Sequence, residues 1–143
     1  MDLRRQFPRS PRELLAGYVH LARMLDKCRA TLRGAQGEYI YPCPMDQFLL
    51  DFTGIMAEQF TEATKSRSSD QEIAEWFQSR SKPHSEAEVA EFNRKLLRHA
   101  PDTPEKLASF TKTRDTIDAS RTDITSWADL LDLEEGRPVP RRN

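Results

Sequence analysis

The residue with the most distinctive chemical setting in this sequence is Cys43, which stands between two prolines, Pro42 and Pro44. Proline favours the first position of a helix, so Pro44 predicts that Cys43 lies at a helix N-terminus. The backbone dipole there favours a thiolate over a thiol, which makes Cys43 a candidate nucleophile. The alternative is that Cys43 is a small core residue, because no histidine-containing motif lies nearby in sequence.

Three polar neighbours of Cys43 complete a first group of candidate ligand-binding residues. Tyr39 and Tyr41 are two positions apart, so in an extended segment they would share a face. They would then stack on a planar ligand or pack against the preceding helix. Asp46 follows in the first turn of the helix that begins near Pro44.

Arg29 is the second candidate, because of its predicted position on a long first helix. The segment from Ser10 to Gly34 has an N-terminal capping pattern and a stripe of apolar residues three and four positions apart. At about 100° per residue, Arg29 falls at the margin of that stripe. His20, Arg23 and Lys27 fall on the opposite side and are expected to face solvent.

A guanidinium at the edge of a core needs a carboxylate or an anionic ligand, because an unpaired buried charge is costly. Two interpretations of Arg29 therefore remain open. One is a structural ion pair with Asp26, Asp46 or Asp51. The other is a ligand-binding arginine in a pocket that also contains Asp26, Asp46 and the tyrosines.

The N-terminal region carries most of the excess positive charge. Residues 1–33 contain eight basic and three acidic side chains, whereas the rest of the chain has a net charge of −6. Arg9 and Arg12 flank the start of the predicted helix, where an anion could bind. The positive region could equally pair with the acidic half of the chain, with Ser10 capping the helix.

Several function classes find no support in the sequence. The three histidines are scattered, and no zinc, P-loop, dinucleotide or nucleophile-elbow motif occurs, so we predict neither a metal nor a cofactor. The overall charge of −1 and the few aromatics near the arginines disfavour nucleic acid. No membrane span or signal peptide is evident, and two unpaired cysteines suggest a reducing compartment, so we expect a soluble cytoplasmic protein.

Repeated capping signals predict an all-α fold of six or seven helices, with at most a short hairpin near residues 33–42. We expect one helical domain over residues 1–133 and a disordered charged tail over residues 134–143. The expected core residues are Leu14, Tyr18, Leu21, Leu25, Phe48, Phe52, Phe60, Ile73, Trp76, Phe92, Leu96, Phe110, Trp127 and Leu130.

The order of these motifs resembles that of the bacterial family DUF5069, a domain of unknown function. The matching motifs are residues 8–12, Gly17-Tyr18, residues 22–24, Asp26-Lys27, Arg29-Ala30, residues 37–39, Tyr41, Cys43-Pro44, Asp46-Gln47, Asp123-Ile124 and residues 129–133. The resemblance implies a small intracellular bacterial protein. It brings no activity, substrate or catalytic residue.

Two functions remain open at this point. The sequence favours a small binding module that engages a protein or a small anionic ligand through its basic N-terminal surface. The alternative is an enzyme with a polar pocket between the first helix and residues 39–46. The candidate ligand-binding residues are Arg9, Arg12, Asp26, Arg29, Tyr39, Tyr41, Cys43 and Asp46. No oligomeric state follows from the sequence.

Overall fold

The structure, a computed structural model that describes residues 1–142, confirms the predicted all-α fold. Those residues form seven helices and no strand. The helices are α1 (Leu21–Leu32), α2 (Pro44–Thr53), α3 (Ala57–Ser66), α4 (Asp70–Arg80), α5 (Glu86–Arg98), α6 (Pro104–Asp118) and α7 (Trp127–Glu134). Each of them falls short of the length and apolar character that a bilayer-spanning helix requires.

The first helix begins ten residues later than the capping pattern at Ser10 predicts. Ala16, Gly17 and His20 all have positive φ angles, of 55°, 82° and 69°, which an α-helix does not accommodate. Leu15 and Tyr18 exchange two backbone hydrogen bonds of 3.0 and 2.9 Å and close a tight turn. Glycine adopts a positive φ angle readily, so Gly17 favours this turn. The turn interrupts the helix that the apolar periodicity predicts, and α1 begins only after it.

The chain forms two compact units, residues 1–96 and residues 97–143. In the first unit α1 contacts α2 and α3, and α3 contacts α4. Most of the predicted core residues in this unit are buried or pack against the core, whereas Leu14 is 62% exposed and Phe48 is 43% exposed. Leu14 is exposed because it lies in the turn region and not on α1. The buried residues of this core are Tyr18, Leu21, Met24, Leu25, Cys28, Leu49, Leu50, Ile55, Phe60, Ala63, Ile73 and Phe77.

The second unit contains a small core between α6 and α7. Phe110, Ile124 and Leu130 are buried there, and Trp127 packs edge-on against Phe110. Val139, which lies in the segment predicted to be a charged tail, is buried in this core.

Arg121 fixes the backbone of the same C-terminal segment. One of its terminal nitrogens donates to the carbonyls of Val139 and Pro140, at 2.8 and 3.3 Å. Asn143, the last residue of the predicted tail, lies outside the described residues.

Candidate functional site

The polar face of α1 is buried, although its helical phase predicts exposure to solvent. His20, just before α1, is 1% exposed, and Arg23 and Lys27 are 2% and 3% exposed. The N-terminal segment and the loop before α2 cover this face. Arg23 donates from Nη1 to the Arg9 carbonyl (3.2 Å), and Lys27 donates from Nζ to the Ile40 carbonyl (3.0 Å). Both faces of α1 are therefore buried, one apolar and one polar.

Four of the side chains at this face form a compact group, which we call the thiol cluster: His20, Lys27, Cys43 and Asp46. Lys27 Nζ lies 3.1 Å from Cys43 Sγ and 2.7 Å from Asp46 Oδ2. His20 Nε2 lies 2.6 Å from Asp46 Oδ1. With the Ile40 carbonyl, Lys27 has three acceptors for its three N–H donors. Asp46 is fully buried, whereas Cys43 retains partial access to solvent.

The local fold around Cys43 matches the prediction made from its prolines. Cys43 is the N-cap residue of α2, and Pro44 begins the helix. Asp46 reaches back and accepts a hydrogen bond from the Cys43 backbone N–H at 2.9 Å. The N-terminus of a ten-residue helix thus presents its positive end to the thiol.

The cluster favours the ionised form of the Cys43 thiol. Burial alone would raise the pKa of Cys43, but the neighbouring His20 and the positive charge of Lys27 outweigh burial and lower that pKa. The pKa of Asp46 is also lowered: burial opposes ionisation, but the contacts with His20 and Lys27 more than compensate. Desolvation of His20 is likewise outweighed by its hydrogen bond to Asp46, which raises the pKa of the imidazole. Each of these three shifts favours the charged form of its group.

Three members of the cluster also carry donor atoms of the kinds that bind divalent metals. A ring nitrogen of His20, Cys43 Sγ and an Asp46 oxygen lie within 4.8 Å of one another. The Lys27 ammonium, however, contacts both Cys43 and Asp46 directly. Because this lysine already supplies the positive charge that a cation would bring, the arrangement fits an ionic cluster better than a metal centre.

A second ionic network contains Arg9, Asp26, Arg29 and Asp70. Asp26 accepts hydrogen bonds from the Arg9 backbone N–H (2.8 Å) and from its guanidinium (3.1 Å). Asp70 contacts both arginines, at 2.6 Å from Arg9 Nη1 and 2.9 Å from Arg29 Nη1. These two arginines, with the Arg9 hydrogen bond foremost, lower the pKa of Asp70. Arg29 thus pairs with a carboxylate that the sequence analysis had not considered, and its Nη2 is buried without a hydrogen-bond partner among the described residues.

The predicted ligand-binding residues therefore do not form one site. Cys43 and Asp46 lie together in the thiol cluster, and Arg9, Asp26 and Arg29 lie together in the second network. Tyr41 donates its hydroxyl to the Ala57 carbonyl at 3.1 Å, which ties it to α3.

Like Tyr41, two other predicted residues belong to neither group. The Tyr39 ring lies beneath the Arg23 guanidinium at 5.5 Å. Arg12 is exposed in the turn region before α1.

Sequence reasoning missed His20 and Lys27, the two basic residues of the thiol cluster. A usable signal existed, because the two residues are seven positions apart and therefore lie on the same side of a helix. That signal could not show that the loop carrying Cys43 would cover them.

Comparison with known proteins places the chain in one family. A search of curated proteins finds no match. The family model described as "Domain of unknown function (DUF5069)" matches residues 5–137, which include both ionic groups and all seven helices. The chain belongs to the DUF5069 family.

Proposed function

We propose that the protein acts through a nucleophilic thiolate at Cys43, which reacts with small electrophilic molecules. The observation that carries the proposal is the Lys27 ammonium 3.1 Å from Cys43 Sγ. A buried lysine beside a cysteine at a helix N-terminus is an arrangement that stabilises a thiolate. This proposal corresponds to the enzyme alternative of the sequence analysis.

The energetic cost of the cluster supports a functional role. Taking ionised groups out of water costs several kcal/mol per ion, and a buried ion pair often stabilises a fold no better than apolar residues of the same volume. Here His20, Lys27 and Asp46 are all at most 3% exposed. Stability alone therefore gives little reason for this set of residues, whereas control of the Cys43 thiol does.

The reaction class that best fits these residues is thiol–disulfide exchange with a low-molecular-weight disulfide. The Cys43 thiolate attacks one sulfur of the disulfide, a new S–S bond forms, and the other sulfur leaves as a thiolate. Lys27 and His20 stabilise the attacking anion before the reaction. Pro42 and Pro44, on either side of Cys43, are exposed, so a small molecule can approach along that side. A reducing cytoplasm, which we propose as the location, would return Cys43 to its free form.

The binding-module alternative has weaker support. Its basic N-terminal surface depends on arginines that the protein largely pairs with its own carboxylates. Arg9 contacts Asp26 and Asp70, and Arg4 contacts Asp2 at 3.0 Å. This internal pairing reduces the charge available to an external partner.

The direct test is the reaction of the reduced protein with oxidised glutathione, followed by intact-protein and peptide mass spectrometry. We expect a mixed disulfide at Cys43 that forms faster in the native protein than at the same cysteine in urea-unfolded protein. The unfolded chain is the matched reference because only the fold brings Lys27 and His20 to the thiol.

The Cys43→Ala variant should form no native-state adduct, since the other cysteine, Cys28, is fully buried. If native Cys43 reacts no faster than unfolded Cys43, the proposal is wrong.

A further inference from the structure

A groove on the first unit, separate from the residues of the thiol cluster, has the character of an anion site. It lies between the C-terminal end of α1, the end of α3 and the loop that leads to α4, and its volume is about 560 Å³. Pockets of roughly 300–1,000 Å³ are typical of small-molecule sites. We call it the basic groove; its lining residues are Arg29, Leu32, Arg33, residues 64–68 and Glu72.

The charges along the basic groove are strongly unbalanced. Four cationic side chains line it, and Glu72 is the one carboxylate among the lining residues. Glu72 is engaged at the start of α4, where it accepts hydrogen bonds from the Ser68 and Ser69 hydroxyls at 3.4 and 3.0 Å. The lining side chains therefore carry a net charge of +3 in a protein whose total charge is −1, and the two carboxylates that contact Arg29 and Lys65, Asp70 and Glu62, lie outside the lining.

The cations of the groove keep hydrogen-bonding capacity for a ligand. Arg29 uses Nη1 for Asp70, and its side chain remains 26% exposed. Within residues 1–142, Arg33 makes no ion pair with a carboxylate. Lys65 pairs with Glu62 at 3.0 Å in a contact that is largely exposed on both sides and therefore weak.

Arg67 is held in place by the protein itself. Its Nη1 donates to the Ser66 hydroxyl at 3.0 Å, and its guanidinium lies 5.8 Å from the centre of the Trp76 ring. A guanidinium positioned in this way loses little conformational freedom when an anion binds.

From this lining we infer that the basic groove binds a small phosphate-bearing molecule. Arginine donors in a fork match two oxygens of one phosphate group, and several cations within one concave surface suit a dianion better than a single carboxylate. This inference is independent of the chemistry proposed for Cys43.

The test is isothermal titration calorimetry of the full chain with inorganic phosphate and with pyrophosphate at low salt. We expect binding with a Kd of ~1 mM or tighter for at least one of them. The Arg33→Gln variant should bind ~10-fold more weakly, because it removes an exposed cation without disturbing the core. Lys95→Gln, which removes an exposed cation of α5 outside the groove, should bind like the unaltered protein.

One further variant and one comparison separate this inference from the thiol proposal and from an effect of overall charge. Cys43→Ala should retain phosphate binding, so a failure of the thiol proposal leaves this result unaffected. Equal weakening by Arg33→Gln and Lys95→Gln would show that phosphate responds only to overall charge and would overturn the inference. Absence of binding by both phosphate and pyrophosphate would also overturn it.

Discussion

Replacing Lys27 with methionine tests how the fold controls the Cys43 thiol. Methionine keeps most of the side-chain length but removes the ammonium that lies 3.1 Å from Cys43 Sγ. Two unit charges at that distance attract each other by about 1.3 kcal/mol even at the dielectric constant of water. Because Cys43 is partly buried, this value is a lower limit for the stabilisation of its thiolate.

An energy of about 1.4 kcal/mol changes an equilibrium tenfold, so the Lys27→Met variant should contain roughly tenfold less thiolate at a pH below the pKa of the thiol. The assay is the rate of alkylation by iodoacetamide at neutral pH, with Cys43→Ala as the background. The matched control is Lys95→Met, which removes an exposed lysine from α5. A Lys27→Met protein that keeps its helical circular dichroism and reacts as fast as the unaltered chain would refute this role for Lys27.

Three further predictions concern stability. Asp46→Asn should lower the free energy of unfolding by about 3–5 kcal/mol in urea denaturation, because it leaves Lys27 and His20 buried beside a neutral amide. Because the fold lowers the pKa of Asp46, the stability that its carboxylate contributes is present at neutral pH and is lost as the pH falls below about 4. Parallel acid-denaturation curves for the Asp46→Asn variant and the unaltered protein would contradict this. Leu25→Ala, at a fully buried position, should cost about 2–5 kcal/mol, and a loss below about 0.5 kcal/mol would mean that this site is not core. Arg29→Met should change stability by less than about 1 kcal/mol in the same urea assay, since Asp70 is 41% exposed on its side chain and keeps Arg9; a loss above about 2 kcal/mol would show that the pair is structural.

The helical fold could be predicted because the capping residues act locally. Ser69, Ser85 and Thr103 each accept a hydrogen bond from the backbone N–H three residues later, and each stands directly before a helix. Such caps depend on a few consecutive residues, so the sequence alone reveals them.

The start of α1 could not be predicted in the same way. The Ser10 hydroxyl accepts from the Arg12 backbone N–H at 3.1 Å, so this serine forms a local turn instead of capping a helix. The same residue types serve both purposes, and the positive φ angles of Ala16, Gly17 and His20 decide between them.

The candidate site could likewise be predicted only in part. The position of Cys43 at a helix N-terminus follows from Pro44, which is adjacent in sequence. The basic residues that act on the thiol are Lys27 of α1 and His20 just before it, 16 and more residues away, and they reach it because the loop before α2 folds over that helix. Helical phase assigned Lys27 to the surface because it describes one helix and contains no information on what covers it.

The most direct test of the account is the pH dependence of Cys43 alkylation in the native protein. The rate follows the thiolate fraction, so it increases with pH and levels off above the pKa of the thiol. With Lys27 and His20 beside it, Cys43 should give an inflection below about 8.5, the ordinary value for cysteine. An inflection at or above that value would show that burial dominates and that Cys43 is not an activated thiol.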